Sequence, residues 1–399
     1  MHSRRSLTFR GVAALLSGLA CVIAANLFAA PILLYVAVLL LALVIVATIV
    51  VHAPRRGGAV TRRISTDLLT VGEDSQVAVR FDLRALRIPF GTWRDQLPDA
   101  VAGVASGDFP TDNGTHIRYT ISGVRRGVWP VGPLSLRTID PFGFAQRTQE
   151  FGDTRTVIVV PEVVPLAPMV RDVGAAGGTA HTASSRLGQG SDNLSPRHYV
   201  PGDSMRRIHW RATAHRGDLM VRQEEEEASP DAIVILDRAA RRWEHEGGAE
   251  DSAFEMAVGA CASIALHLVQ EGYSVDVRDS AGSVLGTLRG HEDDRDSLLV
   301  ALAMVDPRGE GRDIVTLLDG TPPGPLVMIT GQIDQEDASL MRHGGASLPI
   351  LLTTGPASGA EAAAGALGWS TARLDDDIAA TWEDALGARA SAGGGHVPR

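Results

Sequence analysis

The sequence predicts a chain of three parts: two N-terminal transmembrane helices, a small β-sandwich, and an α/β domain with a doubly wound sheet. Three observations predict this fold class. No charged residue occurs from Gly11 to Val51. Polar and apolar residues alternate with a period of two in segments between residues 60 and 160, as in half-buried strands. After Asp231, apolar runs alternate with helical patterns, which is typical of a parallel sheet covered on both faces.

The uncharged run is long enough for two membrane spans, because a bilayer core needs about 20 apolar residues per helix. We expect a transmembrane hairpin over residues 1–54, with a turn between Asn26 and Pro31. Arginines flank both ends of the run, and positive residues tend to stay in the cytoplasm. The flanking arginines are Arg4, Arg5, Arg10, Arg55, Arg56, Arg62 and Arg63. The prediction is a multi-pass protein of the inner (plasma) membrane with cytosolic soluble domains. A signal peptide cleaved near "ANLFAA" is the alternative, and it would leave one span.

Composition excludes several classes of function. The net charge is −10, which argues against general nucleic-acid binding. All 37 basic residues are arginine, so a Schiff-base lysine and a GxxxxGK[ST] phosphate loop are both excluded. The two cysteines, Cys21 and Cys261, have no His or Cys at metal-ligand spacing. We interpret them as small buried apolar residues in a reducing compartment.

Residues 60–165 are predicted to form the β-sandwich, because Gly and Pro interrupt a series of alternating strand patterns. The "DPFG" sequence from Asp140 to Gly143 is a turn signal, with Pro141 at the position that its fixed φ favours. Residues 166–192 are rich in Gly, Ala, Ser and Thr, a composition that favours a flexible linker.

Residues 193–389 are predicted to hold an arginine-rich motif followed by the α/β domain. A helix is expected from Ser252 to Gln270, with Ser252 and Glu255 at capping-box spacing and Gly272 at its C-terminal stop. The Gly-rich residues 390–399 are expected to be a disordered tail.

The arginine-rich motif, from Arg197 to Glu227, contains six arginines and three histidines and ends in four glutamates. Pro201-Gly202 indicates a turn, and Asp203 or Ser204 can cap a helix through "SMRRIHWRA". "HRGD" is expected to end that helix, and "LMVRQEEEE" is expected to be a strand.

Three interpretations of the motif stay open. In the first, arginines pair with Asp203 or with Glu224–Glu227, because guanidinium forks match carboxylates. The arginines concerned are Arg206, Arg207, Arg211 and Arg222. In the second, the arginines and a helix N-terminus bind an anion or phosphate. In the third, a histidine works with Asp203 in catalysis. The candidate histidines are His198, His209 and His215.

At these residues the sequence resembles the bacterial family known as domain of unknown function 58. That family's signature looks like R-x-Y-x-x-G-D, then I-x-W-R-x-[ST]-A-R, a G-x-L run and acidic residues before a strand ending in Asp. The matching residues are Arg197, Tyr199, Gly202, Asp203, Ile208, Trp210, Arg211, Thr213, Ala214, Gly217, Leu219 and Glu224. His215 stands where the family usually has arginine. "RRGVW" and "DPFGF", upstream, are also similar, and the resemblance covers about residues 10–370.

The resemblance implies a von Willebrand factor A-like C-terminal domain, a MoxR-type AAA ATPase as partner, and contacts with other membrane proteins. Domains of that type often hold Mg²⁺ with D-x-S-x-S after the first strand. Here Asp237 is followed by Ala239 and Arg241 at the hydroxyl positions. Mg²⁺ prefers hard oxygen ligands, so we expect no metal and no cofactor. We expect Asp237 to be a strand-end residue paired with Arg238 or Arg241.

The functional expectation is a membrane-anchored, non-catalytic interaction protein that works with the ATPase in assembly or remodelling of membrane or envelope complexes. No catalytic residue is assigned, and Arg206, Arg207 and Arg211 are expected to form or brace the docking surface. One alternative is an enzyme acting on an anionic or phosphorylated ligand through Arg197–Arg222, with Asp203, His209 and Arg211 at its site. Another is a purely structural scaffold for envelope assembly.

Overall fold

A computed structural model of the chain describes residues 7–52, 60–81, 91–108, 116–169, 194–199, 205, 208, 210–224, 230–243, 250–309, 318 and 323–393. The chain divides into two compact units. The first unit comprises Met1–Val163 and Asp296–Asp306, and the second comprises Val164–Arg295 and Pro307–Arg399.

The first unit begins with two apolar helices, α1 (Phe9–Leu27) and α2 (Pro31–His52). The Thr8 side chain caps α1 by accepting a hydrogen bond from the Gly11 amide, which satisfies one of the free amides at a helix start. The helices pack closely at Gly18, where an added Cβ would lie 3.2 Å from Leu41 Cγ. The prediction of two apolar N-terminal helices is therefore confirmed, with the turn between Leu27 and Pro31.

In the rest of the first unit up to Val160, the described residues form eleven strands. They are β1 (Val60–Ile64), β2 (Leu68–Thr70), β3 (Asp74–Phe81), β4 (Gly91–Asp95), β5 (Val101–Gly103), β6 (Ser106–Asp108), β7 (His116–Gly123), β8 (Gly127–Val131), β9 (Leu134–Ile139), β10 (Gln146–Phe151) and β11 (Arg155–Val160). They form sheets of order β1-β3-β7-β5, β10-β9-β4-β6 and β2-β11-β8. All pairs are antiparallel except β2 with β11.

One apolar core joins these three sheets, with Val79, Leu136 and Val159 among its members. Beside it lies a buried ion pair between Arg62 of β1 and Asp95 of β4. Arg62 Nε donates to Asp95 Oδ2 at 3.0 Å, and Arg62 Nη2 donates to Oδ1 at 2.7 Å. Tyr119 also donates to Asp95 Oδ2, at 2.6 Å. The charge of Asp95 is thus matched inside the core, as burial of a carboxylate requires.

The second unit contains a small hairpin, a six-stranded sheet and helices. The hairpin elements are β12 (Leu194–His198), α3 (Trp210–Arg216) and β13 (Met220–Glu224). The later elements are β14 (Asp231–Leu236), α4 (Glu250–Gln270), β15 (Ser274–Asp279), β16 (Val284–Leu288), α5 (Glu292–Ala303), β17 (Pro325–Ile333), α6 (Gln335–Leu340), β18 (Leu348–Pro356), α7 (Ala360–Ala366), β19 (Ser370–Arg373) and α8 (Ile378–Gly393). Residues of α5 from Asp296 onwards belong to the first unit.

The large sheet has the order β16-β15-β14-β17-β18-β19. Its neighbours are parallel except for the edge pair β15 and β16. The chain runs outward from β14 to one edge and then returns to β17, beside β14. In open α/β sheets, ligands bind outside the carboxyl ends of the strands at such a point of reversal. The ends of β14 and β17 are therefore a place to look for a site.

By length and composition, three helices of the described residues could cross a membrane: α1, α2 and the Ser252–Gln270 part of α4. Only 22% of each N-terminal candidate is buried within the protein, against 78% of the α4 candidate. Since α4 contacts β14, β15 and β17, we interpret it as a core helix of the α/β unit.

Several predicted boundaries were wrong. The helix of the arginine-rich motif ends within "HRGD", at Arg216, as predicted, but it begins only at Trp210. One reason is that Ile208 bridges Val221 of β13 in extended pairing, which fits its β-branched side chain. Helix α4 begins at Glu250, before the predicted capping box. Helix α8 extends to Gly393, so the start of the predicted disordered tail, at residue 390, was placed too early.

Candidate functional site

The β12–β13 hairpin carries the arginine-rich motif. The two strands pair antiparallel, with Arg197 opposite Val221 and Leu194 opposite Glu224. The Tyr199 amide continues the pairing by donating to the Leu219 carbonyl at 2.8 Å. The predicted strand at "LMVRQEEEE" is confirmed over Met220–Glu224, whereas the partner strand β12 was missed because Pro196 and a Gly/Ser-rich stretch precede the motif.

Helix α3 is joined to this hairpin through buried residues that flank it in the chain. Ile208 is 6% exposed, Met220 is fully buried and Val221 is 3% exposed. Thr213 Oγ1 accepts a hydrogen bond from the Met220 amide at 3.0 Å, which fixes α3 to β13. Gly217 then ends the helix with φ +80°, a conformation that glycine adopts without steric cost.

Large apolar side chains within α3 and on either side of it in the chain are exposed to solvent. Trp210 is 68% exposed, Met205 is 67% exposed and Leu219 is 41% exposed. Arg211, His215 and Arg216 on α3 are exposed as well. We call these six residues the Trp210 surface. Trp and Arg are the side chains most enriched among residues that dominate protein interfaces, so this surface is suited to binding a partner.

Other predicted members of the motif lie outside the residues whose side chains the structure describes. Gly202, Asp203, Arg206, Arg207 and His209 fall outside the described positions, and for Arg197, Arg222 and Glu224 only the backbone is described. The predicted arginine–glutamate pairing and the catalytic role of Asp203 therefore stay predictions.

A second candidate site lies at the carboxyl ends of β14 and β17, where Asp237 is 2% exposed. Its Oδ1 accepts from the Ala239 amide at 2.9 Å. Its Oδ2 accepts from the Thr330 hydroxyl at 2.8 Å and faces Arg242 Nε at 3.0 Å. The expected pairing of Asp237 with Arg238 or Arg241 was therefore wrong. Arg238 instead binds Asp279 at 2.8 Å, and Arg241 is exposed.

Arg242 reaches this carboxylate because a short 3₁₀ turn, Ala240–Arg242, folds the chain back after β14. Its Nη2 lies 2.8 Å from Asp337 Oδ2 on α6, whose side chain is 31% exposed. Gly331 lies directly under the turn, since an added Cβ would lie 2.0 Å from the Arg242 carbonyl oxygen. The positively charged guanidinium of Arg242 thus occupies the space at the end of β14.

This arrangement does not fit a magnesium ion. Both oxygens of Asp237 already accept hydrogen bonds or face the Arg242 guanidinium, and a dication would lie beside that positive charge. Within the described residues, no group of three or more His, Cys, Asp or Glu could hold a metal. The predicted absence of a cofactor stays a prediction for the whole chain.

The participation of Thr330, Arg242 and Asp337 in this cluster was not predicted. Thr330 and Asp237 are 93 residues apart in the chain, so their contact depends on the order of strands in the sheet. A usable signal was the polar Thr330 within the apolar run "PLVMIT", since a polar residue inside a buried strand needs a partner.

The predicted turn motif lies in the first unit. Asp140 is 3% exposed, and its carboxylate accepts hydrogen bonds from the Phe142 and Ala145 amides at 2.9 and 2.5 Å. Pro141 is exposed, and Gly143 has φ +73°. The turn is an Asx-type turn in which each predicted residue has a geometric role.

The fold and these surfaces define a mixed α/β protein with two apolar N-terminal helices and an exposed aromatic and arginine surface. Residues 195–323 match the family described as "Protein of unknown function DUF58". This match confirms the resemblance that the arginine-rich motif predicts. It spans β12 to α5 and includes both the Trp210 surface and Asp237.

A curated relative from Bacillus subtilis (strain 168), "Uncharacterized protein YeaD", is 25% identical over 154 residues. The aligned region is 39% of this chain and 36% of that protein, so the chain spans about a third of the relative's length.

Two solved structures are also similar to parts of the chain. A cohesin module from a Clostridium perfringens ATCC13124 family 33 glycoside hydrolase is 9% identical, with a TM-score of 0.19, over 27% of this chain and 98% of that one. The pilus adhesin RrgA of Streptococcus pneumoniae is 11% identical, with a TM-score of 0.16, over 74% of this chain and 41% of that one. Similarities at these TM-scores support no argument about fold or function.

Proposed function

We propose that this protein is a membrane-anchored interaction protein whose soluble units lie on the cytosolic side of the inner (plasma) membrane. In this proposal it works with a MoxR-type AAA ATPase in assembly or remodelling of membrane or envelope complexes. Helices α1 and α2 anchor it as a multi-pass hairpin, and the Trp210 surface docks the partner. The observation that carries the proposal is the 68% exposure of Trp210 beside Arg211, within the region that matches the family.

The chemistry of the Trp210 surface supports a partner with an apolar pocket and acidic residues around it. A solvent-exposed indole is a large apolar area that binding can remove from water. The neighbouring arginines can make bidentate hydrogen bonds with carboxylates of the partner. Because the chain as a whole carries a net charge of −10, a locally basic surface can also direct the approach of an acidic partner.

We infer further that residues 193–389 form a von Willebrand factor A-like domain that binds no metal. The parallel strand order around β14 and β17 and the aspartate at the end of β14 support the likeness. The Arg242 guanidinium beside Asp237 supports the absence of a metal. Docking in this proposal depends on the side chains of the Trp210 surface.

The test is crosslinking and pull-down of the full-length protein from membranes, with and without ATP. Trp210→Ala and Arg211→Glu are each expected to reduce capture of the ATPase by at least about tenfold, as expected for residues that dominate an interface. Leu340→Ala and Arg342→Glu are matched controls, because Leu340 is 47% exposed and Arg342 is exposed outside the hairpin. Both controls are expected to retain capture.

Three results would contradict the proposal. Full capture of the ATPase by both hairpin variants would remove the docking role of the Trp210 surface. Capture of partners without any ATP-dependent change would favour the purely structural scaffold. Turnover of a phosphorylated or other anionic compound by the purified protein, lost in Asp203→Ala, would favour the enzyme instead.

A further inference from the structure

The turn from Asp140 to Ala145, here called the DPFG turn, is seated on the start of helix α1. Leu7 pairs with Ala145 as an antiparallel bridge. The Thr8 amide donates to the Phe144 carbonyl at 2.9 Å, and the Thr8 hydroxyl donates to the Gly143 carbonyl at 2.5 Å. The residue that caps α1 is therefore also the residue that binds the turn.

Close packing reinforces these hydrogen bonds. An added Cβ on Gly11 would lie 2.1 Å from the Phe144 carbonyl oxygen, so the helix can approach the turn this closely only with glycine there. The turn itself is rigid because the buried Asp140 carboxylate accepts two of its backbone amides. The first turn of α1 and the DPFG turn thus form one packed unit.

The same turn contacts the end of helix α2. Phe144 packs against a buried cluster of Ala47, Val51 and Ala145. Just beyond it, Arg147 Nη1 donates to the His52 carbonyl at 3.3 Å, which satisfies one of the free carbonyls at the helix end. The DPFG turn therefore holds both helix ends that face the β-strands.

Phe142 lies at the surface of this clamp and is only partly covered by the protein. Its ring stacks on Phe144 at 5.9 Å between centroids, with 17° between the planes, yet its side chain is 56% exposed. Helix α2 has 22 residues, which span about 33 Å and so slightly exceed the hydrocarbon thickness of about 30 Å. Ala47 and Val51 lie in its last two turns, at the level of the membrane interface.

We propose that Phe142 inserts into the interfacial layer of the lipid bilayer, so that the DPFG turn is a lipid-binding site as well as a clamp on the helix pair. This proposal rests on the membrane anchoring proposed above. It adds a second attachment, through which the β-strands of the first unit are held at a fixed depth and orientation on the membrane.

The surroundings of Phe142 favour lipid as the occupant. Phe9, which follows the Thr8 cap, is 88% exposed, so α1 also begins with an exposed apolar side chain. Arg10 also lies beside the turn, since an added Cβ on Gly143 would lie 3.7 Å from Arg10 Nη1. An aromatic ring with a nearby arginine matches the boundary between acyl chains and anionic headgroups.

The experiment measures the depth of a nitroxide label in the full-length protein, reconstituted in nanodiscs that contain anionic lipid. Single cysteines are introduced as Phe142→Cys, Leu39→Cys and Val104→Cys in a Cys21→Ala background. Cys261 is fully buried, and burial raises the pKa of its thiol to about 12, so it stays unlabelled at neutral pH. Collision of each label with oxygen and with a water-soluble nickel complex reports its depth.

The two other positions are matched references. Leu39 lies in the middle of α2 and is 59% exposed. Val104 is 78% exposed and lies just before Ala105, whose carbonyl accepts from the Asp95 amide. Asp95 pairs with Leu134, at the opposite end of β9 from Asp140. That strand places Val104 about 17 Å or more from the turn.

We expect Phe142→Cys to give a depth between the two references, with nickel collisions reduced several-fold relative to Val104→Cys. A Phe142 label as accessible to nickel as the Val104 label, with Leu39 still buried in lipid, would overturn this inference alone. A Leu39 label that is also accessible to nickel would overturn the membrane anchoring on which it rests. A Phe142 label shielded from oxygen as well as from nickel would indicate a protein contact and would equally overturn it.

Discussion

Arg62 in the first unit and Arg242 in the second are both buried beside an aspartate, but their guanidinium groups are satisfied differently. Arg62 makes a bidentate fork with Asp95 and donates its remaining Nη1 to the Asp153 carbonyl at 2.9 Å. Arg242 lies beside Asp237 through Nε and beside Asp337 through Nη2, but neither its Nε nor its Nη1 makes a hydrogen bond within the described residues.

The difference indicates two kinds of role. A buried ion pair in which every donor is used stabilises one arrangement of strands, and loss of either partner leaves a charge without compensation. A guanidinium divided between two carboxylates keeps one partner when the other is lost. We therefore expect the Arg62–Asp95 ion pair to hold β1 and β4 together. We expect Arg242 to occupy the space at the strand ends where α/β proteins commonly bind ligands.

The largest effect is expected from Arg62→Met, which leaves Asp95 charged and buried. We expect the free energy of opening of β1 and β4 to fall by about 3–5 kcal/mol, measured by hydrogen exchange of peptides from these strands in nanodiscs. Arg63→Met is the matched control, because Arg63 is the exposed neighbour on the same strand. In Arg62→Met/Asp95→Leu most of the loss should be recovered. If Arg62→Met lowers the opening free energy no more than Arg63→Met does, the Arg62–Asp95 ion pair does not hold these strands together.

A smaller effect is expected from Asp237→Asn, because Arg242 keeps Asp337 and the amide oxygen can still accept from Thr330. We expect a loss of about 2 kcal/mol in the opening free energy of β14 and β17, measured in the same way. Asp337→Asn should cost less than about 1 kcal/mol, since a partly exposed carboxylate is screened by solvent. If Asp337→Asn costs as much as Asp237→Asn, the two carboxylates share Arg242 equally.

The smallest effect is expected from Tyr119→Phe, which removes one hydrogen bond to Asp95 and leaves the Arg62 fork. We expect a loss of about 1.5 kcal/mol at neutral pH. Burial, and then the Asp95 carboxylate, raise the pKa of Tyr119 above its usual value of 10. The protonated phenol therefore contributes stability that is fully present below about pH 10 and is lost as the pH rises further.

Absorbance at 295 nm checks this last prediction directly. The wild-type titration should contain a component that appears only on alkaline unfolding, and Tyr119→Phe should lack that component. If the component missing from Tyr119→Phe appears before the protein unfolds, the closed environment of the Arg62 pair is contradicted.

Local patterns predicted much of the fold, because they are set by neighbouring residues. The uncharged run predicted α1 and α2, and the apolar segments predicted β14, β17 and β18. Gly272, with φ +90°, ends α4 where the sequence indicated a stop. The start of α3 was mispredicted because the pairing of Ile208 with Val221, a contact with another strand, overrides helix propensity there.

The charged sites were less predictable, because their partners are distant in the chain. Arg62 and Asp95 are 33 residues apart and lie in different sheets. The partner of Asp237 was misassigned because the short turn after β14 brings Arg242, and not Arg238 or Arg241, to the carboxylate. The Trp210 surface was partly predictable: the motif identified Trp210 and Arg211, whereas their exposure followed from the fold.

The clamp formed by Thr8, Gly11 and the DPFG turn has a consequence for biosynthesis. The helix pair leaves the ribosome about 90 residues before Asp140, or roughly 4–18 s earlier at ordinary rates of translation. During that interval the Thr8 hydroxyl and the last turns of α2 have no binding partner, because the DPFG turn has not yet been synthesised. Closure of the clamp then joins α1 and α2 to the newly folded strands.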